Sequence, residues 1–467
     1  MSSDQMKALA INEIVKAVGA VDYDSTAAHH LITSVTFNSK EIKPGGLFIP
    51  LKAARDGHDF IQDAIDHGAQ ATLWANDPAD APSEIPVIQV EDTFTAFVDL
   101  AKYYLGLIQP KVIAVTGSAG KTTTKDMTAA TLSTTFNVYK TQGNYNNQLG
   151  VPFTILSMPE DTEVLVVEMG MSGPGEIRFL AQLCPMDVAV ITMIGESHIE
   201  FLGSRENIAK AKLEILEGLK EDGTFIYPGD EPLIDQAVVD MPEIKKIRVG
   251  LDDSEDVYAE NIVNEREHTH FYTNLSPNVE LSIPVSGDYN VKNALMACAV
   301  AYSQGLAVEQ IKTPLSQFKL TANRSEWLLG KDDIQILNDT YNANPSAMRA
   351  VIRNFSQLER PAVTSHKVLV LGDMLELGKY SASMHASIAE EIDRPHIDGV
   401  YLYGKEMQAL AGALQEKGFP EDKIHYYPED KATLIDDLLA QVHPQDQILV
   451  KASHGMCLAE VVAALKA

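Results

Sequence analysis

VIAVTGSAGKTTTK, Val112 to Lys125, sets an apolar strand, a glycine turn and a helix start in the order that a phosphate cradle requires. Gly117 and Gly120 let the backbone N–H groups of the Ser118–Ala119 turn approach phosphate oxygens. The helix N-terminus adds a favourable dipole, and Lys121 supplies a point charge. Thr122, followed by Thr123, offers a hydroxyl to a magnesium ion. Val115 stands where the first glycine of the longer G-x-x-x-x-G-K-T loop would fall, so this turn is compact. Strand, loop and helix together predict an α/β domain that binds a nucleoside triphosphate, ATP, with Mg2+.

Beyond the loop, strands and helices alternate. Val164–Glu168, Val188–Met193 and Thr224–Tyr227 read as strands, with helices over Glu176–Leu183 and Glu206–Leu219. Such alternation builds right-handed βαβ units and a mostly parallel sheet. Val257–Val285 changes to short strands without helices, the pattern of an antiparallel flank, before a helix over Asn290–Tyr302. After Trp327 a second α/β series begins, with strands at Ile334–Leu337, Val368–Leu371, Val400–Tyr403 and Ile448–Val450. It predicts a dinucleotide-fold-like domain. Before Pro110, shorter elements (Ile11–Val18 helical, Ile32–Phe37 and Leu47–Leu51 extended, Phe60–His67 helical, Ala71–Trp74 and Val87–Val90 extended) make a small α/β unit. The expected domains are 1–108, 109–325 and 326–467.

Length agrees, since 467 residues hold about three domains at roughly 100–200 residues each. The formal charge of -28, from 37 Lys plus Arg against 65 Asp plus Glu, makes a surface that repels nucleic acid and anionic lipid. The cysteines Cys184, Cys298 and Cys457 are few and scattered, giving neither a disulfide framework nor a cysteine zinc motif. Met1–Ala10 shows no basic leader and no stretch reaches about 18 apolar residues, so the expectation is a cytoplasmic enzyme without a membrane span.

Three further residues carry chemistry. Glu168 follows its strand directly and places a carboxylate beside the phosphate loop, where magnesium sits. His198, in the loop IGESHIE, follows the next strand to the same sheet edge. Lys212 falls within the apolar stripe Ile208, Ala211, Ile215, Leu216 and Leu219, whereas Lys210 points elsewhere. A lysine there either snorkels past Leu216 to water or loses its proton, and a neutral amine reacts with carbon dioxide to form a carbamate.

DGHDFI (Asp56–Ile61), TGSAGKTT, TQGNYNNQLGVP (Thr141–Pro152), EMGMSGPGEI (Glu168–Ile177), NDTYNANPSAM (Asn338–Met348) and LGDMLELG (Leu371–Gly378) together resemble the Mur ligase family, ATP-dependent amide-forming enzymes of peptidoglycan precursor synthesis. The resemblance runs through all three units. It implies the branch that joins D-alanyl-D-alanine to UDP-N-acetylmuramoyl-tripeptide through an acyl phosphate. It also implies magnesium held by Thr122, Glu168 and His198, a carbamate on Lys212 helping to bind a second ion, and ATP contacts from Arg324, Asp339, Asn290 and Asn293. Thr141, Asn144, Asn147 and Gln148 match a peptide-and-sugar loop, or else a turn that exploits asparagine's tolerance of left-handed backbone. Ser39, Lys52, Asp56, Gly57, His58 and Asp59 match the uridine-diphosphate side, and Tyr341, Asn342, Ser453 and His454 the dipeptide side. Tyr289 stands where many relatives carry histidine, Ala53 and Ala452 replace usual glycines, and His454 replaces a usual arginine. A folylpolyglutamate-type ligase shares the phosphate loop and acyl-phosphate route, although DGHDFI argues against it. A non-catalytic, ATP-gated binding module would have no need of Lys212. Whether the third peptide residue is lysine or diaminopimelate has no sequence signature here.

Overall fold

The computed structural model describes residues 6–467, so the leader-free reading of Met1–Ala10 lies partly outside the described residues. Among these no helix is long and apolar enough to cross a membrane.

The centre is a nine-stranded sheet that decides where the chemistry lies. Its order is Ser276–Ile283, Thr269–Thr273, Val257–Asn264, Lys245–Gly250, Leu219–Pro228, Met186–Ile191, Lys111–Thr116, Val164–Glu168, Val138–Lys140. From Val138–Lys140 through Val257–Asn264 all pairings are parallel, and the last two pairings are antiparallel, as the change of pattern predicts. Lys111–Thr116 lies between Val164–Glu168 and Met186–Ile191, so the strand order reverses at the phosphate loop. A crevice opens at such a switch point, outside the strand C-termini. The strand residues Val112–Val115 and Val164–Val167 are almost wholly buried, which is what strands covered by helices on both faces require.

A six-stranded sheet follows, in the order Glu326–Leu329, Gln335–Asp339, Gln447–Lys451, Lys367–Gly372, Gly399–Tyr403, Ile424–Tyr427, parallel except for its first, antiparallel pair. The five-stranded N-terminal sheet is joined to the centre by the helix Thr93–Ile108, whose Tyr104 hydroxyl donates to the Met158 carbonyl at 2.8 Å.

Several expectations shift. The single strand over Ile32–Phe37 is two, Leu31–Ile32 and Ser34–Thr36, belonging to different sheets. The helix over Glu206–Leu219 is α-helical only from Arg205 to Leu213 and tightens to a 3-10 turn over Glu214–Gly218. The cause is packing: a Cβ on Gly218 would lie 2.2 Å from the Ala181 carbonyl oxygen, so that backbone passes hard against the neighbouring helix. The strand Lys245–Gly250 and the long helix Thr93–Ile108 have no counterpart in the sequence reading.

Candidate active site

The loop after Lys111–Thr116 can hold no side chain at its two glycines. Gly117 has φ 152° and a Cβ there would lie 1.8 Å from the Thr192 Oγ1; Gly120, with φ 80°, would put one 2.5 Å from the Asn293 Oδ1. Thr192 Oγ1 donates to the Ala119 carbonyl, and Thr124 Oγ1 to Asn293 Oδ1 at 3.2 Å, so the loop is fixed from both sides. Lys121 Nζ donates to the Gly117 carbonyl at 2.9 Å. Ser118 Oγ is buried without a partner among the described residues.

Glu168 ends its strand with both carboxylate oxygens engaged. Thr122 Oγ1 donates to Oε2 and Asn146 Nδ2 to Oε1, both at 2.9 Å, while Lys125 Nζ lies 3.7 Å from Oε2. A hydroxyl and a carboxylate at this separation are the hard oxygen donors that suit Mg2+. Thr141 is fully buried behind them: its hydroxyl accepts from the Glu168 N–H and its carbonyl from Lys125 Nζ, both at 2.9 Å. It therefore positions the carboxylate from behind. Asn147 accepts from the N–H groups of Leu149 and Gly150 as the start of the helix Gly150–Ser157, and Asn144 and Gln148 are exposed.

Lys212 is 2% exposed, against the exposed Lys210. It does not snorkel. Among the described residues no carboxylate lies within ion-pair distance of its amine. Burial first, and the Lys121 charge second, push that amine well below the ordinary lysine range. His198, with φ 63°, pairs through Nδ1 with Glu376 of the third domain. Burial holds its pKa below the usual imidazole value; the Glu376 carboxylate opposes that shift, and the charges of Lys121 and Lys212 add to it. Lys121, His198 and Lys212 thus bear on one another at one point of the cleft, where Glu168 also acts on Lys121.

The opposite wall comes from the third domain and the segment leading into it. Arg324 stacks on Tyr341, its guanidinium carbon 3.9 Å from the ring centre, with Nε buried and unpartnered. Asp339 accepts from the Ser325 N–H at 3.0 Å and from Lys451 Nζ at 2.6 Å, and Lys451 also donates to the Asn342 carbonyl. Ser453 Oγ accepts from the Leu375 N–H at 2.9 Å, and His454 faces Tyr341 with ring centres 5.9 Å apart. Asn290 and Asn293 are buried on the helix Asp288–Ser303, bonded to each other at 3.4 Å. Tyr289 approaches Ser325 Oγ at 3.3 Å.

In the first domain, His58 is buried and both its ring nitrogens are used internally: Nδ1 meets Asp56 at 2.6 Å and Nε2 accepts from the Ala75 N–H at 3.1 Å. His58 is a core histidine. Gly57 presses on the Leu51 backbone, Ser39 is buried, and Lys52 and Asp59 are exposed.

Asn146, Glu196, Asn344 and Glu376 fall inside motifs quoted from the sequence but have no role assigned there. Glu196 Oε2 accepts from the Ser346 N–H and hydroxyl, and Asn344 Nδ2 donates to the Ser118 carbonyl at 3.3 Å and to Ser197 Oγ at 2.8 Å. These bonds tie the third domain to the phosphate loop itself.

Comparison with known proteins agrees with this geometry. Residues 115–301 match the Mur ligase middle domain and residues 323–454 the Mur ligase, glutamate ligase domain. A UDP-N-acetylmuramoyl-tripeptide–D-alanyl-D-alanine ligase of Bacillus subtilis is 43% identical over 455 residues, covering 97% of this chain and 96% of its own. A solved structure, MurF from Acinetobacter baumannii, superposes with a TM-score of 0.87 at 27% identity over 99% of both chains. The MurF ligase of Thermotoga maritima in complex with ADP gives 0.79 at 28% identity, covering 93% of this chain and 97% of that one.

Proposed function

The chain belongs to the Mur ligase family, and on that footing we propose that it joins D-alanyl-D-alanine to UDP-N-acetylmuramoyl-tripeptide, ATP being cleaved to ADP and phosphate. The observation that carries this reading is the meeting of a phosphate loop with an unpaired buried amine, Lys212, and a pinned carboxylate, Glu168. A module that only binds ATP has no use for the buried amine.

The chemistry follows from what these groups can hold. The loop N–H groups and Lys121 bind the ATP phosphates and oppose the charge that builds on the transferring phosphoryl group. The terminal carboxylate of the tripeptide takes that group, giving an acyl phosphate and ADP. The dipeptide amine then attacks the acyl carbon; the new C–N bond forms, the C–O bond to phosphate breaks, and the amine gives up its proton. Thr122 and Glu168, with His198, are the residues that would hold Mg2+, which supplies charge neutralisation at the phosphates. The Lys212 amine, whose pKa burial lowers well below the ordinary lysine range, is suited to carbamylation, and the resulting anion would sit among Lys121 and His198, where an anion is favoured. Arg324 and Asp339, from the far wall, would bind the nucleotide, and the contacts of Asn344 and Glu196 bring the walls together and exclude water from the acyl phosphate.

The test is phosphate release from ATP with both peptide substrates supplied, using tripeptides ending in lysine and in diaminopimelate. Release that depends on the dipeptide, with a product heavier than the tripeptide nucleotide by one dehydrated dipeptide, is expected. Release unaffected by dipeptide, or ATP bound without turnover, would overturn the assignment.

A further inference from the structure

At the far end of the third domain's sheet, two histidines converge on one carboxylate that the ligation chemistry does not use. His366 immediately precedes the strand Lys367–Gly372, and His443 and Asp446 precede the neighbouring strand Gln447–Lys451. These are the N-terminal ends of parallel strands. The catalytic wall, with Lys451 and Ser453, is at their C-terminal ends, roughly 17 Å away along a strand.

Asp446 is the fixed part. Its side chain is 1% exposed, and each oxygen already accepts a backbone N–H: Oδ1 from His366 at 2.7 Å and Oδ2 from His443 at 2.8 Å. The imidazoles, 46% and 65% exposed, approach the same two oxygens through Nδ1, at 3.2 Å for His366 and 3.8 Å for His443. Their ring centres are 5.4 Å apart, and the three ligand atoms lie within 4.8 Å of one another. Gln445, between His443 and Asp446, has φ 65°, a left-handed conformation that a residue other than glycine adopts at a cost. It lets the short turn present His443 and Asp446 on one side, while the Gln447 N–H donates to the His366 carbonyl at 2.8 Å and locks the two segments side by side.

Ligands at about 2.0–2.1 Å in a tetrahedral shell lie roughly 3.3 Å from one another, close to the 3.2 Å of His366 and reached by the exposed His443 imidazole through a small side-chain rotation from 3.8 Å. Two imidazole nitrogens with one carboxylate favour zinc and its transition-metal neighbours over Mg2+ or Ca2+, which take oxygen ligands. We infer that His366, His443 and Asp446 form a surface site for a zinc-class dication, with solvent in the fourth position, clamping the entrances of two adjacent strands of the third domain.

Equilibrium dialysis of the full chain against micromolar Zn2+, with Mg2+ and ATP in large excess to fill the catalytic cleft, tests it. One Zn2+ per chain is expected, lost or weakened about 10-fold or more in His443→Ala and in His366→Ala, as for removal of one ligand. Both variants should ligate at the wild-type rate. Co2+ should give a visible d–d absorption in the wild type that the variants lack. Zinc retention equal in wild type and both variants, or none in the wild type, would overturn the assignment. Because both histidines are exposed, circular dichroism should be unchanged in the variants, so a lost ion reads as a lost ligand.

Discussion

Two helices that flank the same cleft each bury a lysine, and the two amines have opposite surroundings. Lys125, on Lys121–Leu132, is 2% exposed but donates to the Thr141 carbonyl at 2.9 Å and lies 3.5 Å from Asp126 and 3.7 Å from Glu168. Lys212, on Arg205–Leu213, is equally buried and meets no carboxylate, only the repelling charge of Lys121. Burial is common to both. The partners decide whether a buried lysine is a structural cation or a reactive amine. Lys125 also joins Asp126, which accepts from Thr321 at 2.8 Å in the segment leading to the third domain.

The contrast can be broken by substitution. Lys125→Met removes the cation shared by Glu168 and Asp126, leaving Glu168 with no ion pair among the described residues and Asp126 with Lys140 at 2.6 Å, and a loss of about 3–5 kcal/mol in unfolding free energy is expected from urea titration. A loss as small as that of a surface variant would mean Lys125 does not neutralise them. Lys212→Ala should instead keep its fold and much of its ATP affinity yet lose ligation rate by on the order of 10²–10³-fold, the usual effect of removing one preorganised charged group. Acetate or formate at constant ionic strength should restore part of it by filling the vacated place; full activity without them would refute the carbamate role.

A smaller effect separates the site from its support. His385 is fully buried, its Nε2 accepting from the Met374 N–H and Nδ1 facing the Ser381 carbonyl, so it holds the loop that carries Glu376. Burial lowers its pKa below the usual imidazole value of about 6.5. Above about pH 6.5 it is neutral folded or unfolded and contributes no pH dependence. As pH falls below that value the unfolded chain binds the proton first, so stability is lost until the folded-state pKa is passed. Denaturation midpoints between pH 7 and 5 should fall more steeply for the wild type than for His385→Gln; equal slopes would place the titration elsewhere. Least of all, Lys210→Ala should change neither rate nor stability by more than about 0.5 kcal/mol, as befits an exposed position.

How much of this could be read beforehand depends on distance along the chain. The phosphate loop was legible because strand, glycines and lysine are contiguous, and Lys212 because a charge interrupts a helical stripe. Glu168 was legible from its place at a strand end. Asn146 was not: its bond to Glu168 spans 22 residues, and it stands beside Asn147, an asparagine whose Oδ1 serves only the local turn by accepting from the Leu149 and Gly150 N–H groups. Glu196 meets Ser346 across 150 residues, a pairing with no periodic trace. His58 looked available because it lies in a charged run, yet Trp74 covers it, ring centres 4.6 Å apart, and its nitrogens are spent on Asp56 and Ala75. The helix Thr93–Ile108 is apolar on several sides because it is packed between two domains, which blurs the one-faced pattern that marks a surface helix.

The crowding around Gly117 and Gly120 has a consequence for heredity. Any side chain at Gly117 collides with Thr192, and any at Gly120 with Asn293, while both backbones hold positive φ. A small molecule that engaged this loop through its amide groups would therefore rest against two positions where any substitution is strained, and a cell under such selection could replace neither glycine without displacing a packed neighbour.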